Sequence, residues 1–472
     1  MTGSNYDLKI KALLPIVSIG ILLIVGSTVL FQLPVLLPAI AGIALILIYL
    51  ITNNFEISYL HLTVFLIISS LLLPPISIKS TLPDIRFEEF IFYIFFPFIL
   101  LKPPEHKKLK GRAKTFAYVF MAFLVCMFIS LIWGVMHFGV PTGSRDFVNF
   151  FKIAKYLIIF WVIYRFNYTD DELKTILYVV LGTLFISVTL GFLQLYGVFG
   201  LDHITAPLFL QNRAYMATER LVGTFHNPNT YGSILLVGII ICLVLLFHKS
   251  LVKNRVLISA LLVYFIAALI LTVSRTDVAI FVFIAILIPV YNTYKHSINP
   301  LYVLLFFTGF VLLLIPLAGF LTYDILVRYI SGMNILQDQS FLMRLYSWYI
   351  NTKIFLQSPI VGWGTSEYLY TTIVDNEYIL MLRNFGILGT SVYIWFYFLP
   401  LIEAWKSNAT KDIHKAWNQI IMFSIISFLI VNLTNSTFSS IQTMDFLVVM
   451  IGIFFSIQNN KREGAGIVET ST

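Results

Sequence analysis

The fold is decided by residues 229–292, NTYGSILLVGIIICLVLLFHKSLVKNRVLISALLVYFIAALILTVSRTDVAIFVFIAILIPVYN. Three apolar runs, 229–248, 255–273 and 276–292, are broken by the basic loop His248–Arg255 and by the four polar residues Ser274–Asp277. Each run is close to the ~20 residues that cross a ~30 Å hydrocarbon core as a helix. Adjacent spans joined by loops this short must form antiparallel helical hairpins. Working outward, the same pattern continues in both directions. Apolar segments are read at 12–30, 33–51, 58–74, 87–101, 114–137, 147–166 and 173–199 on one side, and at 300–321, 377–402, 416–434 and 440–458 on the other. The third and fourth of these are short for a full crossing. The chain of 472 residues is 59% hydrophobic and 11% charged, against roughly 25% charged in a soluble domain. A soluble protein so apolar would aggregate. The expectation is an all-α polytopic integral membrane protein: one membrane domain over 1–472, about 12–14 transmembrane helices, and one long extracytoplasmic loop over 322–376.

Charge sets the orientation. With a cytoplasmic N-terminus, every second loop should be basic. The loops on that side hold Lys102, Lys107, Lys108, Lys110, Arg112 and Lys114, then Lys249, Lys253 and Arg255, then Lys295, Lys406, Lys411 and Lys415, and finally Lys461 and Arg462. The alternation predicts a multi-pass protein of a bacterial cytoplasmic membrane with both termini cytoplasmic. The net charge of +8 then reflects membrane-flanking loops and does not point to nucleic acid. The first apolar run continues to Leu30 without a small-residue cleavage site, so no cleavable signal peptide is expected. Cys126 and Cys242 lie in separate apolar segments and read as small buried hydrophobes. No internal repeat of fixed period is visible, which argues against an inverted-repeat transporter.

The same topology puts the polar segments 75–86, 200–228 and 322–376 outside, with 332–346 expected as a short amphipathic surface helix. It also places Arg145, Arg213, Arg220, Arg275, Arg328, Arg344 and Arg383 on the side where positive charge is normally depleted. Arg275 is either a snorkelling or Asp277-paired arginine, or a phosphate ligand, since guanidinium binds phosphate bidentately without losing its charge. In Glu219–Gly232, the Asn-Pro pair signals a turn, Asn229 reads as the N-cap of the next span, and the helix N-terminus could hold an anion. His226 beside it is a structural histidine or a general base. In the third cluster, Gly362 and Gly364 permit a tight turn, and Trp363 offers a face for a sugar ring. Asp375 and Glu377 read as a helix N-terminus, as a carboxylate base, or as a Asp-x-Glu metal site; the base reading is preferred, with no metal. Asp170-Asp171-Glu172 follows Thr169 and reads as helix capping. Asp445, near the outer end of the last span, is an intramembrane carboxylate whose partner the sequence does not name, and Lys152 and Lys155 lie toward the outer end of theirs.

Taken together, GTFHNPNTYG before a span, VSRTDVAI at a hairpin, and RLYSWYINTKIFLQSPIVGWG leading into DNEYILMLRNFGILG resemble the O-antigen polymerase and ligase superfamily, which includes Wzy-type polysaccharide polymerases. The resemblance covers roughly residues 215–400. It implies a membrane glycosyltransferase that polymerises undecaprenyl-diphosphate-linked oligosaccharide repeat units into a surface polysaccharide, such as capsule or exopolysaccharide, on the outer face of the membrane. Family ligases carry a His-Asn pair where this chain has Asp375-Asn376, so the general-base role would pass to Asp375. The family's functional arginines would fall on Arg220, Arg275 and Arg344, and Arg328 joins them as a diphosphate ligand. Asn376 and Glu377 join Trp363 as sugar contacts. The chemistry is coherent: diphosphate is a good leaving group, and each charge-assisted contact to it contributes roughly 1.5–3 kcal/mol. No nucleotide-sugar fold is needed, because the donor arrives lipid-linked, and no cofactor is expected. The partners implied are the bilayer, a chain-length regulator and a flippase. The alternatives are an O-antigen-type ligase and a flippase or transporter of lipid-linked saccharide.

Overall fold

The computed structural model describes residues 59–76, 85–86, 89, 109–140, 144–200, 202, 209, 220–296, 339–365 and 374–469. The segments expected at 12–30, 33–51, 87–101 and 300–321 lie outside these residues, apart from Glu89, as do Arg213 and Arg328. The described chain is helical: α1 (Tyr59–Leu72), α2 (Gly111–Phe138), α3 (Ser144–Tyr164), α4 (Asp170–Leu195), α5 (Pro228–Phe247), α6 (Arg255–Leu271), α7 (Arg275–His296), α8 (Gln339–Phe355), α9 (Glu377–Lys406), α10 (Asp412–Val431) and α11 (Ile441–Glu469). A two-residue antiparallel pair, β1 (Pro75–Ile76) with β2 (Ile85–Arg86), follows α1. Among the described residues, eight helices are long and apolar enough to cross a membrane. The protein is an all-α, multi-pass membrane protein.

Each apolar segment that falls in the described region became a helix within a few residues of its expected bounds, except that the last, expected at 440–458, continues as helix to Glu469. The expected surface helix at 332–346 differs: the described part starts at Gln339 and runs on to Phe355 as α8. Burial sorts the spans. α5 and α11 are the most enclosed spans: 89% and 94% of them lie inside the protein, and the polar groups α11 carries there, such as Asp445, are paired within the protein. α2 is only 33% enclosed. Its Met121, Val125, Phe128, Ile132 and Met136 point outward, toward what would be lipid, where apolar side chains cost nothing.

Packing runs from α5 to α6, α7 and α10, from α9 to α2, α8 and α10, and from α11 to α3 and α1. The helices therefore meet at two ends. At one end, Lys411, just before α10, and His414 of α10 reach Asp170 at 2.9 and 3.3 Å, and Ser250 donates to Asp412 at 2.5 Å. Lys110, Arg112, Arg255 and Lys406 share this basic end through the helix termini that carry them. There the Asp170-Asp171-Glu172 run caps α4. Thr169 Oγ1 accepts from the Glu172 amide at 3.3 Å, and Glu172 Oε2 accepts from the Thr169 amide at 2.7 Å, a reciprocal capping box. The opposite end, where α5, α7, α9 and α11 begin, is here called the rim.

Candidate functional site at the rim

The rim is assembled by a loop that the sequence reading passed over. Residues 432–440, NLTNSTFSS, join α10 to α11 and are polar without being charged. Thr434 Oγ1 donates to Thr276 Oγ1, at the start of α7, at 2.9 Å. The neighbouring Leu433 carbonyl accepts from Asn376 Nδ2, at the start of α9, at 2.9 Å. Ser436 Oγ donates to the Val374 carbonyl at 2.9 Å. Two clusters about 100 positions apart in sequence, Arg275 and Asp375, are thus held through residues next to each of them by adjacent residues of one loop. A run of seven Ser, Thr and Asn residues between two spans was the available signal. Such side chains hydrogen-bond between helices in lipid.

Arg344 lies in the second turn of α8, and its Nε is 3.2 Å from Asp375 Oδ2. Their side chains keep 24% and 39% of their surface exposed, so the pair is accessible at the rim. Asp375 directly precedes α9, where Asn376 is the N-cap and accepts from the Ile379 amide at 3.1 Å. Asn376 is buried, with one side-chain atom on that cap and the other on Leu433. Glu377 turns away from Asp375. Its carboxylate is fully buried and accepts from the Phe438 amide at 3.1 Å and from Ser439 Oγ at 3.4 Å. Asp375 and Glu377 therefore face different partners, and Glu377 anchors the 432–440 loop. The sugar-contact role read for Asn376 and Glu377 fits neither side chain's position.

Trp363 has one ring face stacked on Phe138, with centroids 4.1 Å apart and planes at 13°. One face of the ring is therefore taken by α2, and the side chain as a whole is half-buried. The flanking glycines serve a chain crossing. α9 is interrupted at Gly386 (φ 63°, ψ −167°), and segment 358–364 supplies the hydrogen bonds that the break leaves open. Ile387 N donates to Pro359 O at 2.8 Å, Trp363 N to Arg383 O at 2.9 Å, and Gly364 N to Asn384 O at 2.8 Å. Ser130 Oγ of α2 also donates to the Asn384 carbonyl. In a membrane, broken helical backbone is tolerated only where other protein groups satisfy it. Arg383 is buried and donates to Asn351 Oδ1 at 2.7 Å and to Asn384 Oδ1 at 2.9 Å. It ties α8 to α9 and is not a surface ligand.

On the other side of the rim, Asn227 is the N-cap of α5, accepting from the Asn229 amide at 2.8 Å, with Pro228 in the first helical position. This corrects the expected cap, Asn229, by two residues. The proline must sit inside the helix start because it has no amide to satisfy. Asn229 instead accepts from Arg220 Nη2 at 2.7 Å. Arg220 Nε donates to the Thr272 carbonyl at 2.7 Å and Nη2 approaches the Val273 carbonyl at 3.5 Å. A cation on the last carbonyls of α6 complements that helix's dipole. Arg275 is exposed in the first turn of α7. Asp277 is not a surface partner for it: Asp277 is buried, accepting from Ser274 Oγ at 2.6 Å and from Ser233 Oγ at 3.4 Å. Among the arginines expected to bind diphosphate, Arg275 and Arg344 are presented at the rim, and Arg220 is built into it.

A second polar cluster lies beneath the rim. Lys155 Nζ of α3 is 3.0 Å from Glu89 Oε1 and 2.9 Å from Asp445 Oδ2, which supplies the partner for Asp445 that the sequence could not name. Lys152 Nζ is 4.0 Å from Glu89 Oε2. The Arg86 amide donates to the same oxygen at 3.0 Å, and its Nη2 donates to the Leu73 carbonyl beyond α1 at 2.8 Å. All five side chains are at most 5% exposed. In the sequence, Asp445, Lys152 and Lys155 stood out as charges within spans, and Glu89 sits at the edge of an apolar segment, but nothing there paired them.

No protein-family model matches the chain, and no curated protein matches it.

Proposed function

We propose that the protein is a membrane glycosyltransferase that polymerises undecaprenyl-diphosphate-linked oligosaccharide repeat units, with the rim on the extracytoplasmic side of a bacterial cytoplasmic membrane and both termini in the cytoplasm. The observation that carries this reading is the accessible Arg344–Asp375 pair at the same end of the bundle as Arg275, joined through the Thr276–Thr434 and Asn376–Leu433 bonds. A carboxylate beside fixed cations suits an attack in which a sugar hydroxyl loses its proton while diphosphate leaves. In this mechanism Asp375 takes the proton of the acceptor hydroxyl as the oxygen forms its bond to the anomeric carbon. The bond from that carbon to the diphosphate oxygen breaks, and Arg344 and Arg275 stabilise the departing charge. Arg220 supports the arrangement by holding the α6–α7 turn against Asn229.

The test uses purified protein in nanodiscs with a lipid-diphosphate-linked repeat unit, and products resolved on a gel. A ladder of lengthened chains is expected from the wild type and none from Arg344→Ala, with the variant still inserted and monodisperse. Full-length polymer from Arg344→Ala removes the assigned role. Product attached to a different acceptor in place of a ladder identifies a ligase. The buried Glu89–Lys155–Asp445 cluster specifically favours a second reading, a carrier of lipid-linked saccharide, because intramembrane charges mark transport paths. Movement of labelled lipid across proteoliposomes without any chain growth selects it.

A further inference from the structure

We infer that Lys155 is a positioning residue for the rim, acting through Asp445 on the first turns of α11 and so on the 432–440 loop. The inference rests on the proposed function in taking the rim as the site.

The path is continuous. Lys155 Nζ lies between Glu89 and Asp445 at 3.0 and 2.9 Å. Asp445 is the fifth residue of α11, immediately after the loop. Within that first stretch of α11, Gln442 Nε2 donates to the Thr224 carbonyl at 3.2 Å. Thr224 Oγ1 in turn donates to the Leu71 carbonyl of α1 at 2.5 Å. The loop's own bonds to Thr276, Val374, Asn376 and Glu377 leave from residues 433–439. The end of α1, the 220–228 segment, α3 and the rim loop therefore all register on one helical turn.

The chemistry of the anchor matters. Apolar residues of the same volume would pack α3 against α11 at least as stably, since burying a charge pair carries a large desolvation cost. What apolar packing lacks is direction. Two carboxylates from separate elements meeting one ammonium at hydrogen-bond distance fix the axial register of α11 against α3. A buried ionic contact accepts slippage poorly, because sliding by one residue leaves a charge unpaired in a medium without water. The spacing of Arg275 and Asp375 depends on that register, since the loop that bridges their neighbours is continuous with α11.

The experiment separates this role from simple loss of folding. In a background with Cys126 and Cys242 replaced by alanine, Thr276→Cys and Thr434→Cys report the α7-to-loop distance by oxidative cross-linking, with no substrate present. Lys155→Met is read beside Lys155→Arg, which keeps a cation between the carboxylates. The double variant Lys155→Met with Asp445→Met, which removes both members of the bond, is run in parallel and read the same way. Only monodisperse protein is scored. The expected result is a several-fold drop in cross-linking for Lys155→Met and for the double variant, restored by Lys155→Arg. The elongation assay should show a kcat decrease of roughly 10- to 100-fold with little change in KM. Wild-type cross-linking in monodisperse Lys155→Met or in the double variant overturns the inference, as does failure of Lys155→Arg to restore it. If the wild type elongates nothing, the proposed function fails while the cross-linking result still decides the role of Lys155.

Discussion

Replacing Gly386 with alanine tests the idea that the break in α9 is a built crossing between α9 and segment 358–364. The residue sits at φ 63°, ψ −167°, a region that only glycine occupies readily, and forcing another residue there costs about 1–3 kcal/mol. A Cβ at this position would lie 2.3 Å from the Ile360 carbonyl oxygen and 2.4 Å from its carbon. Both are backbone atoms, so neither can swing aside as a side chain can. Moving segment 358–364 to make room adds roughly 1–3 kcal/mol of overpacking, and it strains the bonds from Ile387 to Pro359 and from Leu388 to Ile360 at 2.8 and 3.3 Å. The sum, about 2–6 kcal/mol, is a large share of the stability of an ordinary domain. At about 2 °C per kcal/mol it becomes a fall in melting temperature of about 4–12 °C. The assay is thermal unfolding of the detergent-purified protein followed by fluorescence-detected size exclusion. Gly182→Ala is the control: Gly182 lies within α4 with open space around its Cβ, so alanine there should be neutral or slightly stabilising. A Gly386→Ala protein that melts with the wild type would refute the reasoning. It would mean that the crossing yields without strain.

Other predictions follow from individual contacts. Asn227→Ala removes the side-chain acceptor of the Asn229 amide and should lower stability by about 1 kcal/mol, read in the same unfolding assay. Asn292 and Gln419 exchange two hydrogen bonds, at 3.1 and 3.0 Å, between α7 and α10. Asn292→Leu alone should cost about 1–3 kcal/mol by stranding Gln419, and adding Gln419→Leu should recover most of the loss; a double variant no better than the single would show that the pair is not the unit. Burial pushes the His248 imidazole below its usual value, against opposing contributions from the Val244 carbonyl and Asp412. The unfolded chain then takes up the proton first as pH falls, so stability at the basic end is intact above about pH 6.5 and is lost below it. Melting temperature should fall from pH 7 to pH 5 in the wild type and fall less in His248→Gln; parallel curves would remove His248 from the acid response.

What the sequence determined by itself is what depends on composition and short range. Twenty apolar residues between polar breaks can only become a helix in lipid, so the spans were legible one by one. The capping run at Thr169–Glu172 was legible for the same reason: both partners lie within four residues. The arginines were visible because cations are rare where the charge pattern put them. What they do was not visible. Arg220 reads like Arg275 in sequence, yet one is bonded to the end of α6 and the other is exposed. The difference is set by which helix terminus lies across from each. Glu377, two residues from Asp375, points into the protein because the 432–440 loop arrives over it from residues some 60 positions away. Gly362 and Gly364 suggested a ligand turn, and Gly386 lay unnoticed within a span. All three turn out to let two backbones cross. Lys155 and Asp445, 290 positions apart, became partners only when α3 packed on α11. Tertiary structure decided these points because a buried polar group must find its partner wherever the packing of helices brings one, and sequence separation carries no information about that distance.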